Sequence, residues 1–207
     1  MTQRVIVYID GFNLYFGLRS KNWRKYYWLD LMRLSQALLK SDQVLESVRY
    51  FTTRICDNGR NSEDMRRQVT YLEALGTLEG LSIEYGHYLS KTRKCMKCGA
   101  KWPDYEEKMT DVNIAVRLMS DAFDDRFDTA LLISGDSDLT TPVEQVCKRF
   151  PKKRVIVVSP PGRHSSNLNK AASGGFVLGE AKLRQSQLPA TIERQDGYLL
   201  HRPEHWH

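Results

Sequence analysis

The chain has 207 residues, 41% hydrophobic and 27% charged, the balance of an ordinary globular protein long enough to bury a sizeable core. No apolar run approaches the roughly 20 residues that a membrane-spanning helix needs. The opening MTQRVIVYIDGFN reaches an aspartate with no small-residue cleavage site, so it reads as a first strand and the expected location is cytoplasmic. Lys and Arg exceed Asp and Glu by 31 to 25, a surplus of +6 that suits an anionic partner such as nucleic acid and is equally usual among small soluble proteins.

Residues 4–9, RVIVYI, form a β-branched run broken by Asp10-Gly11, the pattern of a buried strand. A helix is expected to start within 13–18. Residues 30–39 carry Leu31, Leu34, Leu38 and Leu39 at helical spacing, and 44–53 read as a second strand. Asp57-Asn58-Gly59 is a turn. Residues 63–78 place Met65, Val69, Leu72, Leu75 and Leu78 on an amphipathic helix, and 81–89 read as a third strand. Residues 91–107 are polar and read as an inserted, cysteine-containing loop. The cleanest helix is 110–123, with Val112, Ala115, Val116, Met119, Ala122 and Phe123 on one face. Residues 127–134 (with ALLI) and 154–158 (RVIVV) are two more buried strands, with a helix over 139–150 between them. Strands separated by helices in this order predict an α/β fold with a mostly parallel sheet covered on both faces. One domain is expected over 1–188, with the insert at about 90–107, followed by a less ordered tail at 189–207.

Two aspartates stand where strands end: Asp10 after VIVYI, and Asp136 after ALLISG. In parallel α/β sheets, ligands bind beyond the carboxyl ends of the strands, so both carboxylates should face one crevice. Asp138 follows two residues later, and Asp111 lies in the first turn of the 110–123 helix. Asp138 and Asp111 could equally serve as helix caps. Clustered carboxylates repel one another unless protonated or neutralised. A hard divalent cation such as Mg²⁺ resolves the conflict and can promote in-line displacement at phosphorus.

The segments IDGFNLYFGLR, EEKMTDVNIAVRLMSDAFDD and ALLISGDSDLTTPVEQV, with the ending SQLPATIERQDGYLLHRPEHW, resemble the NYN family, bacterial relatives of the PIN-domain nucleases. The likeness runs over residues 4 to about 206. It implies a PIN-like, Rossmann-like fold and Mg²⁺- or Mn²⁺-dependent cleavage of RNA phosphodiesters. Under it, Asp10, Asp111, Asp136 and Asp138 are the catalytic and metal-binding acids. Asn13 matches the Asn of the family's D-G-x-N motif and would orient a ligand or contact substrate. Ser134 and Ser137 flank the acidic turn and could bond a metal-bound water or phosphate, and Lys108 could reach a phosphate or pair with an acid.

Cys95-Met-Lys-Cys98-Gly resembles half a zinc knuckle. Tetrahedral zinc needs two further ligands, for which Cys56 and His87, or a second copy of the chain, are candidates; a plain thiol pair is the competing reading, and a homodimer becomes a candidate assembly. Cys147 continues an apolar helix face and reads as core. The insert interleaves Lys91, Arg93, Lys94, Lys97 and Lys101 with Tyr88, Trp102 and Tyr105. That pattern suits single-stranded nucleic acid, and also describes a solvated basic loop.

Two other functions compete. Asp136-Ser-Asp138-Leu-Thr140 matches the nucleophile motif of haloacid-dehalogenase-type phosphatases, but without that family's following motifs. A non-catalytic protein that holds RNA or a partner is the third reading.

Overall fold

The continuous apolar runs become the middle of a sheet. In a computed structural model that describes residues 2–55 and 61–206, without the side chains of Ser90 and 103–106, β1 (Gln3–Asp10) lies between β2 (Gln43–Thr52) and β6 (Thr129–Ile133). Cys56, the expected turn at Asp57-Asn58-Gly59 and the side chain of Tyr105 lie outside the described residues. With β3 (Leu81–Tyr85), β7 (Arg154–Ser159) and β8 (Gly174–Val177), the strands form a six-stranded sheet in the order β3-β2-β1-β6-β7-β8. Every pairing within it is parallel. Counting only these strands, the order is the doubly wound 3-2-1-4-5-6, and the chain reverses direction across the sheet between β1 and β6.

Period-two alternation sorts β1 onto two cores. Val5, Val7 and Ile9 pack on one face with Leu14 and Leu18 of α1 (Gly11–Ser20), Leu31 and Leu34 of α2 (Leu31–Leu38), Leu72 and Leu75 of α3 (Ser62–Leu75), and Leu183 of α7 (Glu180–Gln185). Ile6 and Tyr8 pack on the other with Ile114 and Leu118 of α4 (Thr110–Phe123), Val143 and Val146 of α5 (Thr140–Arg149), and Leu168 of α6 (Ser166–Ala171). Cys147 packs at the edge of this second core. No helix among the described residues is long and apolar enough to cross a membrane.

Three sequence expectations need correction. Helix α4 has the expected bounds, but its buried face is Thr110, Ile114, Leu118, Asp121 and Ala122; Val112, Val116 and Phe123 are exposed. The helix carries two apolar stripes, and the sheet takes the one whose Asp121 meets Tyr8 and Arg49. The expected third strand divides at Gly86, where a Cβ would come 2.5 Å from the carbonyl oxygen of Lys108. Beyond it the insert is no loop but an antiparallel hairpin of β4 (His87–Lys94) and β5 (Lys101–Lys108).

The third correction concerns the tail. Residues 191–206 form a small hairpin, β9 (Thr191–Glu193) with β10 (Leu199–His201), and then a turn that plants Trp206 among Tyr27, Trp28 and Tyr71, with ring centroids 5.7–6.2 Å apart. Leu200 and Leu188 complete this third cluster. Trp206→Ala should therefore cost about 3 kcal/mol and lower the melting temperature by about 6–12 °C. A thermal melt that shifts by less than a degree would mean that the tail is dispensable to the fold.

Candidate functional site

At the reversal between β1 and β6, two strand ends open side by side, and the crevice is built from short polar links. Asp10 closes β1 and caps α1: its Oδ1 accepts the backbone N–H of Asn13 at 3.0 Å, and its Oδ2 accepts the Asn13 side-chain amide at 2.8 Å and the Ser134 hydroxyl at 2.8 Å. Gly11 is required beside it, because a Cβ there would stand 2.7 Å from the carbonyl oxygen of Phe51. Asn13 also reaches across the crevice. Its Nδ2 lies 3.5 Å from Asp136 Oδ2, and its Oδ1 accepts the Gly135 N–H at 3.2 Å. Ser134 is fully buried, and its hydroxyl also accepts the Asp136 N–H at 3.0 Å. Asp136 in turn caps the next turn, accepting the Asp138 N–H at 3.0 Å.

Asp111 approaches from α4 on the other side. Its carboxyl is pushed up to about 7, first by burial and then by the charges of Asp10, Asp136, Glu107 and Asp138. Burial also raises the Asp10 carboxyl; hydrogen bonds from Asn13 and Ser134 oppose that shift, and the Asp136 charge adds to it. The four expected acids are thus gathered at one place, with Asn13 and Ser134 tying two of them together. Ser137 and Lys108 are close to the acids along the chain. Ser137 is exposed and its carbonyl accepts the Thr140 hydroxyl at 2.6 Å, while Lys108 ends β5 three residues before Asp111.

Two residues that set Asp111 were not anticipated. Glu107 accepts the backbone N–H of Thr110 at 3.1 Å and also the Thr110 hydroxyl, so a side chain of the preceding strand caps α4. Met109 joins them with φ 80°, a left-handed conformation that costs a non-glycine residue about 1–3 kcal/mol. A tight polar cap and an αL residue leave no compositional trace. Only the E-x-x-T-D spacing, an acid three residues before a threonine, could have signalled the cap.

A divalent cation suits this donor set on one observation. Asp111 carries the repulsion of four neighbouring carboxylates, a cost that a cation would remove. Among the described residues, no group of three or more acid, His or Cys side chains is arranged to hold a metal ion. Mg²⁺ does not require one, since it is usually held by one or two carboxylates and keeps its waters.

The same repulsion gives a prediction for stability. An Asp held up to about 7, against the ordinary 3.8, binds more proton in the folded than in the unfolded chain between those values. Stability therefore falls as pH rises through that window and stays at its lower level above about pH 7. Asp111→Asn should recover on the order of 1–2 kcal/mol at pH 8, the shift being discounted for solvent screening because the side chain is only partly buried. That corresponds to roughly 2–8 °C in melting temperature without divalent ions. Mg²⁺ should stabilise the parent but not the variant. An Asp111→Asn protein that melts at or below the parent at pH 8 would contradict the repulsion.

The cysteine pair sits apart from this site. Cys95 and Cys98 form the tip of the β4–β5 hairpin, where the Cys95 N–H bonds Ala100 O at 2.8 Å and the Gly99 N–H bonds Cys95 O at 2.9 Å. Backbone N–H groups of Cys98 and Lys97 lower the Cys95 thiol pKa. His87 is corrected as a zinc ligand: it lies at the opposite end of β4, paired with Lys108, roughly 26 Å along the strand from Cys95. Of the expected basic and aromatic residues, Arg93 and Trp102 face each other across the hairpin, while Tyr88 turns inward, its ring edge-on to Phe12 at 6.5 Å.

The chain is 27% identical to 6-hydroxy-3-succinoylpyridine 3-monooxygenase HspA of Pseudomonas putida, over 99% of this chain and 75% of that protein. Its fold resembles the crystal structure of a protein of unknown function from Vibrio parahaemolyticus, with TM-score 0.57 and 19% identity, covering 90% of this chain and 97% of the other. The family model for the NYN domain matches residues 4–178, which hold all four acids, the hairpin and all of the parallel sheet but Gln3, so the chain belongs to the NYN domain family.

Proposed function

We propose that the protein is a metal-dependent ribonuclease that hydrolyses RNA phosphodiester bonds in the crevice between β1 and β6. The observation that carries this reading is the convergence of Asp10, Asp111, Asp136 and Asp138 at the sheet's reversal point, close enough that the neighbouring charges add to burial in raising the Asp111 carboxyl. Without a cation, such a cluster would repel a phosphodiester; with one, it becomes a phosphate site.

Asp136 and Asp111 would hold Mg²⁺ or Mn²⁺, with Asp10 and Asp138 beside them. When bound, the metal supplies Lewis-acid activation of water and neutralises charge developing on the phosphate. Asn13 holds Asp10 and Asp136 in register, Ser134 locks the Asp10 carboxylate, and Ser137 and Lys108 would meet phosphate oxygens. The basic hairpin offers a surface along which RNA could extend. The two cysteines at its tip could bind zinc only with further ligands, for which a second copy of the chain is the candidate source.

The phosphatase reading loses its support. Asp136 follows β6 rather than the first strand, and the Thr140 hydroxyl is engaged by the Ser137 carbonyl. A second reading comes from the Pseudomonas putida relative, whose name gives a hydroxypyridine acid as its substrate: the same crevice would take a small heteroaromatic acid. The deciding experiment incubates the purified chain with single-stranded and structured RNA and DNA, in Mn²⁺, Mg²⁺ or EDTA, with and without a hydroxypyridine carboxylate. Cleavage that needs the metal supports the nuclease. RNA binding that persists in EDTA with no cleavage in either metal points to a binding protein.

A further inference from the structure

Beside the acidic crevice lies a second concavity. It is a cleft of about 490 Å³ that shares Gly11 with the site and runs away from it beneath α1. Its size lies within the range that binds a single small ligand, roughly 300–1,000 Å³. Its walls are unusually aromatic. Phe12, Tyr15 and Phe16 descend from α1, Tyr27 and Trp206 form the far end, and Tyr88 comes from the hairpin.

These rings form a connected set. Phe12 and Phe16 stack at 6.4 Å, Tyr15 meets Phe16 at 5.3 Å and Tyr27 at 5.1 Å, and Tyr27 meets Trp206 at 5.7 Å. Tyr15 and Phe16 nonetheless leave 40% and 37% of their surfaces exposed, although Leu14 and Leu18 already supply the helix's core face. Phe16 also carries the Arg163 guanidinium 5.5 Å from its ring centroid. Rings that keep part of their surface open along a cleft, beyond these contacts, can stack on something else.

The charges are arranged end to end. The acids lie at the Gly11 end. At the other end stand Arg19 and Arg24, and the Arg24 guanidinium is 2.8 Å from His205 Nε2. Since arginine only donates, that imidazole nitrogen accepts and the histidine adds no charge in this contact. Arg67, also on the wall, is already matched by Asp64 at 2.6 Å. Burial and the Tyr15 neighbour push the Tyr27 hydroxyl up to about 12, so the wall remains neutral towards an anion.

We propose that this cleft is a binding subsite for one flat aromatic ring carrying an anionic group, with the ring against the open surfaces of Tyr15, Phe16 and Tyr27 and the anion at Arg19 and Arg24. Resting on the ribonuclease reading, the ring is the base of the nucleotide next to the scissile phosphate, and the anion is that nucleotide's other phosphate. The same chemistry in a free small molecule is an aromatic carboxylic acid.

The test measures binding separately from cleavage. The full chain carrying Asp136→Asn is titrated in EDTA with a short single-stranded oligouridylate, with uridine monophosphate and with nicotinate, by calorimetry. Each titration is repeated with Tyr15→Ala, Tyr15→Trp or Arg24→Ala added. Because stacking on one aromatic ring contributes about 1–3 kcal/mol, Tyr15→Ala should weaken oligonucleotide binding about 5- to 100-fold, while Tyr15→Trp restores it. Arg24→Ala should weaken the ligands that carry the anion. In the parent background, Tyr15→Ala should raise KM and leave kcat within about two-fold.

Both alanine changes are at exposed positions, and an unchanged melting temperature confirms that each variant is folded. Affinities within two-fold of the parent for all three ligands would overturn the subsite, even if the parent cleaves RNA. Tyr15-dependent binding of nicotinate or the mononucleotide by a parent that cleaves no RNA would uphold the subsite and sink the ribonuclease.

Discussion

If the proposed function holds, Asp136→Asn is expected to lower the Mg²⁺- or Mn²⁺-dependent RNA cleavage by at least about a thousand-fold, since losing a carboxylate proposed to bind the metal would remove several kcal/mol of transition-state stabilisation. Asp136 isolates the chemistry well because its structural duties are light. One oxygen caps the Asp138 N–H, which an amide oxygen can still accept, and the other faces the crevice with only the Asn13 amide at 3.5 Å. The fold should survive the change, with a melting temperature within about 2 °C of the parent, surface changes usually staying within ±0.5 kcal/mol.

Asp10→Asn should fall as far in activity but also cost stability. Both Asp10 oxygens receive donors in a site that is 1% exposed, and an amide would turn its own N–H groups against Asn13 and Ser134. An unsatisfied buried donor costs about 1–3 kcal/mol. Comparing the two variants separates the metal site from the scaffold. Cleavage by Asp136→Asn within ten-fold of the parent would defeat the proposed mechanism.

The contrast between those residues also marks what could be read from the sequence. Asp10 and Asp136 were legible because strands buried on both faces are written as unbroken apolar runs. The run stops where the strand stops, and parallel strands stop together at one edge. Helix α4 was legible in extent but not in orientation. Two stripes, Val112/Val116/Phe123 and Ile114/Leu118/Ala122, have the same period, and the choice between them depends on Asp121, which periodicity counts as polar and outward.

The β4–β5 hairpin was read as a loop because KTRKCMKCGAKW has no apolar alternation; cross-strand hydrogen bonding, not burial, defines it. The tail looked unstructured because Leu200 and Trp206 stand five polar or small residues apart, and their partners, Trp28 and Ala74, lie over a hundred positions upstream. The aromatic cleft was hidden for a similar reason. Phe12, Tyr15 and Phe16 look like core until the fold shows that Leu14 and Leu18 fill that role.

Asp121 is where fold and candidate site are joined, and removing it should have the largest effect on stability. Its carboxylate is 4% exposed, accepts the Tyr8 hydroxyl at 2.7 Å, and pairs with Arg49 through Nε at 2.8 Å and Nη2 at 2.9 Å. Arg49 continues to Glu84 at 3.7 Å, which holds Arg117 at 2.9 Å. Burial, with the Asp121 charge, keeps the Tyr8 phenol far above its ordinary pKa, so it always donates. Asp121→Ala leaves the enclosed Arg49 guanidinium without its main counter-charge, a change that typically costs about 3–5 kcal/mol. In denaturant titrations the loss should appear as a lower midpoint at constant slope.

The second consequence is positional. Tyr8 precedes Asp10 by two residues on β1, and Asp121 lies on the helix whose first turn carries Asp111, so this buried contact fixes one acid relative to the other. At temperatures where Asp121→Ala is still folded, cleavage should drop and Mg²⁺ should stabilise it less than the parent. Replacing the trio together, Arg49→Met and Asp121→Leu with Tyr8→Phe, should restore most of the stability, because it leaves neither a buried ion unpaired nor the Tyr8 hydroxyl without its acceptor. It should not restore activity to the same degree, since a hydrophobic contact does not hold α4 against β1 in one register. An Asp121→Ala protein less than 1 kcal/mol below the parent would show that the network contributes nothing to the fold. A fully active triple variant would show that it does not position Asp111.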